Sequence, residues 1–172
     1  MKKLYCLLLA VALLLGAALK KNDEPTDELR ARAKKAAEVY RRYDEDSRLN
    51  KSKAARVEFL TTVRYIEKYL TPGARILDVG AGAGEYSLHF SRKGYKVSAL
   101  ELADANIASF RAKITDNDSI DLVQGNALDL SRYDSDSFDI VLLFGPLYHL
   151  HEEEDKLRCI EEAKRVCKPT SW

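Results

Sequence analysis

The sequence predicts an α/β protein, a doubly wound parallel sheet with helices on both faces. Three observations carry that expectation. Short apolar runs at residues 75–79, 96–100, 120–123 and 138–144 alternate with amphipathic segments, the order in which a parallel sheet with right-handed crossovers is written. The run Ile140-Val141-Leu142-Leu143-Phe144 is apolar at every position, which suits a strand buried on both faces. Asp78-Val79-Gly80-Ala81-Gly82-Ala83-Gly84 breaks the first strand into a glycine-paved turn that opens a helix, the place where such a sheet holds a ligand.

Length and composition bound what surrounds that turn. The 172 residues, 46% hydrophobic and 32% charged, suffice for the core and surface of one domain. With 28 basic against 27 acidic residues the net charge is +1, so there is no electrostatic footprint for nucleic acid, and a small-molecule partner is expected. Cys6, Cys159 and Cys167 are too scattered for a disulfide framework and have no metal-ligand spacing; no metal is expected, and a reducing compartment follows.

Residues 1–21 pull the other way. Lys2 and Lys3 precede an uncharged apolar run over residues 4–19, with Gly16, Ala17 and Ala18 where a signal peptidase could cut. The run reads as a secretory leader, with a membrane anchor as second choice because it falls short of the roughly 20 apolar residues of a span. Lys20 and Lys21 would then hold the following domain in the cytoplasm. A buried helix is a weaker third reading, since the segment has no polar stripe.

Residues 22–51 form a polar linker, in which Thr26 or Asp27 caps a charged helix over about 28–43 with Tyr40 and Tyr43 on its apolar stripe. The core domain runs over 52–172. Phe59, Leu60, Val63, Ile66 and Leu70 mark an amphipathic helix that Thr71-Pro72-Gly73 ends. After the glycine turn come a helix to about Lys93, terminated at Gly94, and a strand ending on Glu101. A helix over 103–114, a third strand closed by Gln124-Gly125-Asn126, the apolar fourth strand stopped by Gly145-Pro146, and a last helix over 153–166 complete the order. That last helix has acids in its first turn and bases near its end, as its dipole favours.

Two ligands compete for the turn. A strand, a glycine turn, a helix and then an acid near 20 residues on is the dinucleotide fingerprint, and Glu101 could take ribose hydroxyls. An NAD-binding oxidoreductase is therefore one reading. The glycines, however, stand at alternate positions, and Glu85 occupies the place of the third glycine of that fingerprint. Asp78 and Glu85 flanking the turn would also repel a pyrophosphate and attract a cation.

On these residues the chain resembles the class I S-adenosylmethionine-dependent methyltransferases of the small-molecule type, from about Tyr40 to Pro169. Residues 78–84 match the family's first motif, Glu101 its ribose-binding acid, Gly125-Asn126-Ala127 its third-strand loop with Asn for the usual Asp, and residues 138–148 its fourth strand and following loop. The resemblance implies a Rossmann-like fold, S-adenosylmethionine as cofactor, and methyl transfer to a small-molecule acceptor. It implies that Asp78, Gly80, Ala81, Gly82 and Gly84 hold the methionine moiety and that Glu101 and Leu102 hold the ribose. Asn126 and Ala127 would hold the adenine, and Phe144 and Gly145 would wall the reactive methyl. His149 is the candidate general base, against an equal reading as a pocket-shaping residue, while His89 and His151 are expected to be structural or solvated. The family sheet has seven strands, and its last three find no counterpart before Trp172. The chain is therefore expected to be truncated and to leave its fourth strand on an exposed edge open to self-association, and a fragment that binds cofactor without turnover is an alternative reading. Membrane contact would run through residues 4–19, and the catalytic domain is expected in the cytoplasm.

Overall fold

The structure, a computed structural model, describes the backbone of Leu4–Tyr5 and Leu7–Leu9 together with residues 53–170. Its strands are β1 (Leu4–Tyr5), β2 (Leu7–Leu9), β3 (Arg75–Val79), β4 (Lys96–Glu101), β5 (Ile120–Gln124), β6 (Ile140–Leu143) and β7 (Pro169–Thr170). Its helices are α1 (Lys53–Glu67), α2 (Glu85–Arg92), α3 (Asp104–Lys113) and α4 (Glu153–Val166). The helix expected over 28–43, with Tyr40 and Tyr43, lies outside the described residues.

The main sheet has the order β2-β6-β3-β4-β5, and every pairing in it is parallel. The chain runs from β3 outward to β4 and β5 on one side, then crosses to β6 on the other. This reversal beside β3 opens a crevice at the carboxyl ends of the strands, where such sheets bind ligands.

The register sets two opposite faces. Ile76, Val97, Ile140 and Leu142 meet Val63 and Ile66 of α1 and Phe90 of α2, while Ala99 meets Leu88 and Phe110. Leu77, Val79, Leu100, Val141 and Leu143 turn the other way, onto Cys159, Ala163 and Val166 of α4. β3, β4 and β6 thus carry buried apolar residues on both faces, which is why β6 reads as an unbroken apolar run rather than an alternating one.

Two sequence expectations change here. The apolar fourth strand is not on an exposed edge, because Leu7, Leu8 and Leu9 pair in parallel with Val141, Leu142 and Leu143. An open row of N–H and C=O groups is satisfied by the nearest strand-competent leucines, so self-association through that edge loses its basis. The segment expected to be a leader or anchor accordingly supplies two strands, with β1 pairing antiparallel to β7; residues 10–21 lie outside the described residues. Among the described residues no helix is long and apolar enough to cross a membrane. The fourth strand is also shorter than 138–144, since Phe138 instead forms a bridge with Cys167 and Gly145 leads into a 3-10 turn at Pro146–Tyr148.

Gly84 fixes how α2 leaves β3. Its φ is +87°, and a Cβ there would sit 2.2 Å from the ring of Phe110, a fully buried side chain. Gly94 also has a positive φ, +91°, but nothing lies within 4 Å of its missing Cβ. Gly84→Ala should therefore lose about 2–5 kcal/mol, from left-handed strain plus overpacking, whereas Gly94→Ala should lose about 1–2 kcal/mol from strain alone. Urea midpoints of the two variants check this; equal losses would mean that Phe110 yields without cost.

Candidate functional site

The turn after β3 is built on the end of β4. Gly80 and Ala81 donate their N–H groups to the Leu100 carbonyl at 2.8 and 3.1 Å, so the turn hugs the neighbouring strand. Pro146 closes on it from the turn after β6, standing 2.7 Å from where a Gly80 Cβ would be. Gly82 differs, with φ +57° and nothing within 4 Å of its missing Cβ. Its bare Cα faces open space, so a ligand can approach the backbone there.

Glu101 is the centre of the arrangement. It is 3% exposed, and its Oε2 accepts the Gly82 N–H at 2.8 Å. Its Oε1 accepts the Ala103 N–H at 2.9 Å and Asn106 Nδ2 at 3.2 Å. Three donors leave one of the roughly four carboxylate lone-pair positions for a ligand hydroxyl. Asp78 stands behind the turn, 3% exposed, and accepts Ser87 Oγ–H at 2.7 Å. Burial raises its pKa to about 6, with the nearby Glu101 charge adding to the rise and the Ser87 hydrogen bond opposing it.

A cavity of about 50 Å³ lies at the carboxyl ends of β3 to β6. It brings together Gly80, Glu101, Leu102, Asn126, Ala127 and His149, which the sequence had placed in one site. Leu100, Gly125, Pro146 and Leu150 also line it, and of these the sequence singled out none as a site residue. Gly125 belongs to the Gly125-Asn126-Ala127 loop that the sequence singled out, and a Cβ there would stand 2.7 Å from the buried Leu100 side chain.

The structure does not bring every expected residue to the cavity. Asp78 is behind the loop on Ser87, Gly84 serves the packing on Phe110, and Phe144 stacks on Tyr86 with ring centroids 5.0 Å apart. Gly145 sits beside the Gly80 carbonyl, 3.4 Å from where its Cβ would be. Asn126 is committed in part: its Oδ1 accepts the Leu128 N–H at 3.0 Å, which fixes the orientation of the amide and leaves Nδ2 as its donor group. Ser87 and Asn106 went unnoticed in the sequence; polar residues at buried helix positions were their only signal.

A larger cavity of about 420 Å³ lies over α2 between Phe59 and Lys113. Its cations already face acids, with Lys113 3.1 Å from Glu85, Arg92 3.4 Å from Asp118, and Lys93 on Glu67. It is a surface groove away from the strand ends. His89 lies in its wall with its pKa lowered, first by burial and then by Lys93, in keeping with a structural role.

The family model described as "Methyltransferase domain" matches residues 77–172. The ubiquinone biosynthesis O-methyltransferase of Hahella chejuensis is 30% identical over 104 residues, covering 60% of this chain and 42% of that protein. The ubiquinone/menaquinone biosynthesis C-methyltransferase UbiE of Vibrio parahaemolyticus is 34% identical over 104 residues, covering 57% and 39%. A crystal structure of a SAM-dependent methyltransferase from Methanosarcina mazei is 28% identical, with a TM-score of 0.55 over 61% of this chain and 52% of that one. The PH0226 protein of Pyrococcus horikoshii, 23% identical with a TM-score of 0.64 over 76% and 61%, shares the fold. The chain spans about two fifths of the length of these two curated relatives and between 26% and 57% of others it matches.

Two predictions follow from the carboxylates. Glu101→Gln sets an amide NH₂ against one of the three donors and should cost about 1–3 kcal/mol of stability; an unchanged melting curve would show that the three hydrogen bonds contribute nothing net. Asp78, with its folded pKa raised to about 6 from 3.8, binds protons more tightly folded than unfolded. It favours the fold fully below about pH 4, and that contribution is lost as pH rises through about 6. Asp78→Asn should therefore gain stability relative to the parent between pH 4 and pH 7, by on the order of 1–3 kcal/mol. Paired denaturant titrations at the two pH values read the difference, and a constant gap would refute it.

Proposed function

The chain belongs to the methyltransferase-domain family, and from that premise we propose that it transfers a methyl group from S-adenosylmethionine to a small-molecule acceptor. The observation that carries the cofactor is the charge of the crevice. Glu101 lines it and Asp78 lies behind it, while no lysine or arginine is among the residues that line it. A pyrophosphate would find no counter-charge there, and a sulfonium would find acids.

The residues fit the parts of that cofactor. The open backbone at Gly82 takes the methionine moiety beside Gly80 and Ala81, and Glu101 with Leu102 takes the ribose. Asn126 and Ala127 take the adenine. Phe144 and Gly145, which follow β6 outside the cavity lining, would back the acceptor side, and the position of His149 beside Glu101 and Asn126 in the lining supports a role as the base for the acceptor proton. S-adenosylmethionine supplies the electrophilic methyl. The protein's part is to align the acceptor with it and exclude water, which lowers the barrier without strong acid–base chemistry.

The near-neutral charge of the chain, +1, supports a small acceptor over nucleic acid. A cytoplasmic location fits a domain that draws on this cofactor.

Isothermal titration with S-adenosylmethionine and with NAD tests the cofactor. S-adenosylmethionine should bind at least about tenfold more tightly, a difference of ~1.4 kcal/mol. The opposite order would replace the methyltransferase reading with an oxidoreductase. Cofactor binding without methyl transfer to any of a broad set of small acceptors would make the chain a binding module.

A further inference from the structure

Helix α4 does more than cover the sheet. Arg158, Glu162 and Arg165 recur at four and three residues and so share one face of the helix, beside the stripe of Cys159, Ala163 and Val166 that enters the core. That polar face grips the segment after β5. Arg158 Nε donates to the Leu128 carbonyl at 2.9 Å. Glu162 Oε2 accepts the Leu130 N–H at 2.8 Å, and Arg165 donates to the carbonyls of Leu130 and Tyr133, both at 2.9 Å. Arg165 and Glu162 also hold one another through two hydrogen bonds of 2.8 and 3.0 Å.

Leu128 is the residue that links this grip to the site. Its side chain is buried at 5% exposure, its N–H is held by Asn126 Oδ1 and its carbonyl by Arg158. Asn126 faces the cavity two residues earlier. With Arg158 removed, the Leu128 carbonyl must find another donor, and the peptide that turns to reach one carries the Asp129 N–H off the Asn126 carbonyl, which it holds at 2.9 Å, loosening the turn that sets Asn126 against the Leu128 N–H. Asp129, within electrostatic reach of both Arg158 and Arg165, draws the guanidinium groups to the same segment.

We propose that Arg158 is a positioning residue, which through the backbone of Leu128 fixes the Asn126 amide in the orientation that reads the adenine edge of the cofactor. The adenine assignment rests on the S-adenosylmethionine reading above; the linkage from Arg158 to Asn126 does not. The two parts separate experimentally. In the ligand-free protein, Arg158→Met should broaden or merge the two Asn126 side-chain amide resonances in a ¹⁵N-correlated spectrum, and Arg158→Lys, which restores one donor, should return them.

Binding of S-adenosylhomocysteine provides the second readout. Arg158→Met should weaken it about 5- to 10-fold, and Arg158→Lys should come within about twofold of the parent. In an Asn126→Ala background the same Arg158→Met change should alter binding by less than about twofold, because neighbours that act through one another are not additive. An equal loss in both backgrounds, or a loss of melting temperature with unchanged binding and unchanged Asn126 resonances, would reduce Arg158 to a structural residue. Parent protein that binds no S-adenosylhomocysteine, with the Asn126 resonances still responding to Arg158, would overturn the adenine assignment and leave the linkage standing.

Discussion

The Glu101 carboxylate collects the groups that would otherwise be loose at the carboxyl end of β4. Gly82 reaches it from the turn after β3, and Ala103 and Asn106 reach it from the start of α3. The backbone repeats the pattern, with Gly80 and Ala81 on the Leu100 carbonyl and the Gly125 N–H on the Glu101 carbonyl at 3.0 Å. A carboxylate taken out of water costs several kcal/mol unless donors replace its hydration, and here the donors come from loops that have no partner within their own element. The acid and the loops thus complete each other. Take away the carboxylate and three N–H groups on two separate turns are left searching for acceptors in a place with little water.

That arrangement also sets the sign of the site. Burial raises the Asp78 pKa, and the Glu101 charge adds to the rise. Glu85, at the first turn of α2, is answered by Lys113 at 3.1 Å, and Lys113 also donates to the Ala83 carbonyl at the same distance. The charge that Glu85 brings to the turn is therefore largely balanced from outside. Its counterpart on the inside is not balanced by any cation among the lining residues. A positively charged ligand would lower the Asp78 pKa again and recover the energy that burial had cost.

The fold was legible because both periodicities were present in strength. The three- and four-residue spacing of Val63 and Ile66, and the unbroken run in β6, leave few alternatives once helices and strands alternate. The leucines of β1 and β2 were not legible, since an apolar run after a basic N-terminus reads first as a leader, then as an anchor or a buried helix, and the pairing with β6 depends on a sheet edge that no local pattern shows. Within the site the residues carrying backbone geometry or charge could be read: Gly80, Glu101 and Asn126 do line one cavity. Pro146 and Leu150 enter through the path of a 3-10 turn, which no spacing encodes. Arg158, Glu162 and Arg165 could not be read either, because a charged stripe on a helix ordinarily means a solvated face, and their partners are backbone groups about 30 residues away.

The two halves of the crevice are held by different means, and this decides where it can open. On the glycine side the positive φ angles of Gly80, Gly82 and Gly84 and the bonds to Leu100 fix the backbone itself. On the Asn126 side α4 holds the loop through side-chain hydrogen bonds to carbonyls and an N–H. At the wall of residues 146–150 the backbone hydrogen bonds run from Tyr148 to Gly145 and from His149 and Leu150 to Pro146, and Pro146 packs against Gly80. Tyr148 is already 70% exposed, and Pro146 is the buried apolar side chain of the turn, with Leu147 and Leu150 only partly buried. Breaking the glycine side would require a buried carboxylate to give up its donors, so the crevice is held most firmly where Glu101 meets the glycine turn and would open there at the greatest cost.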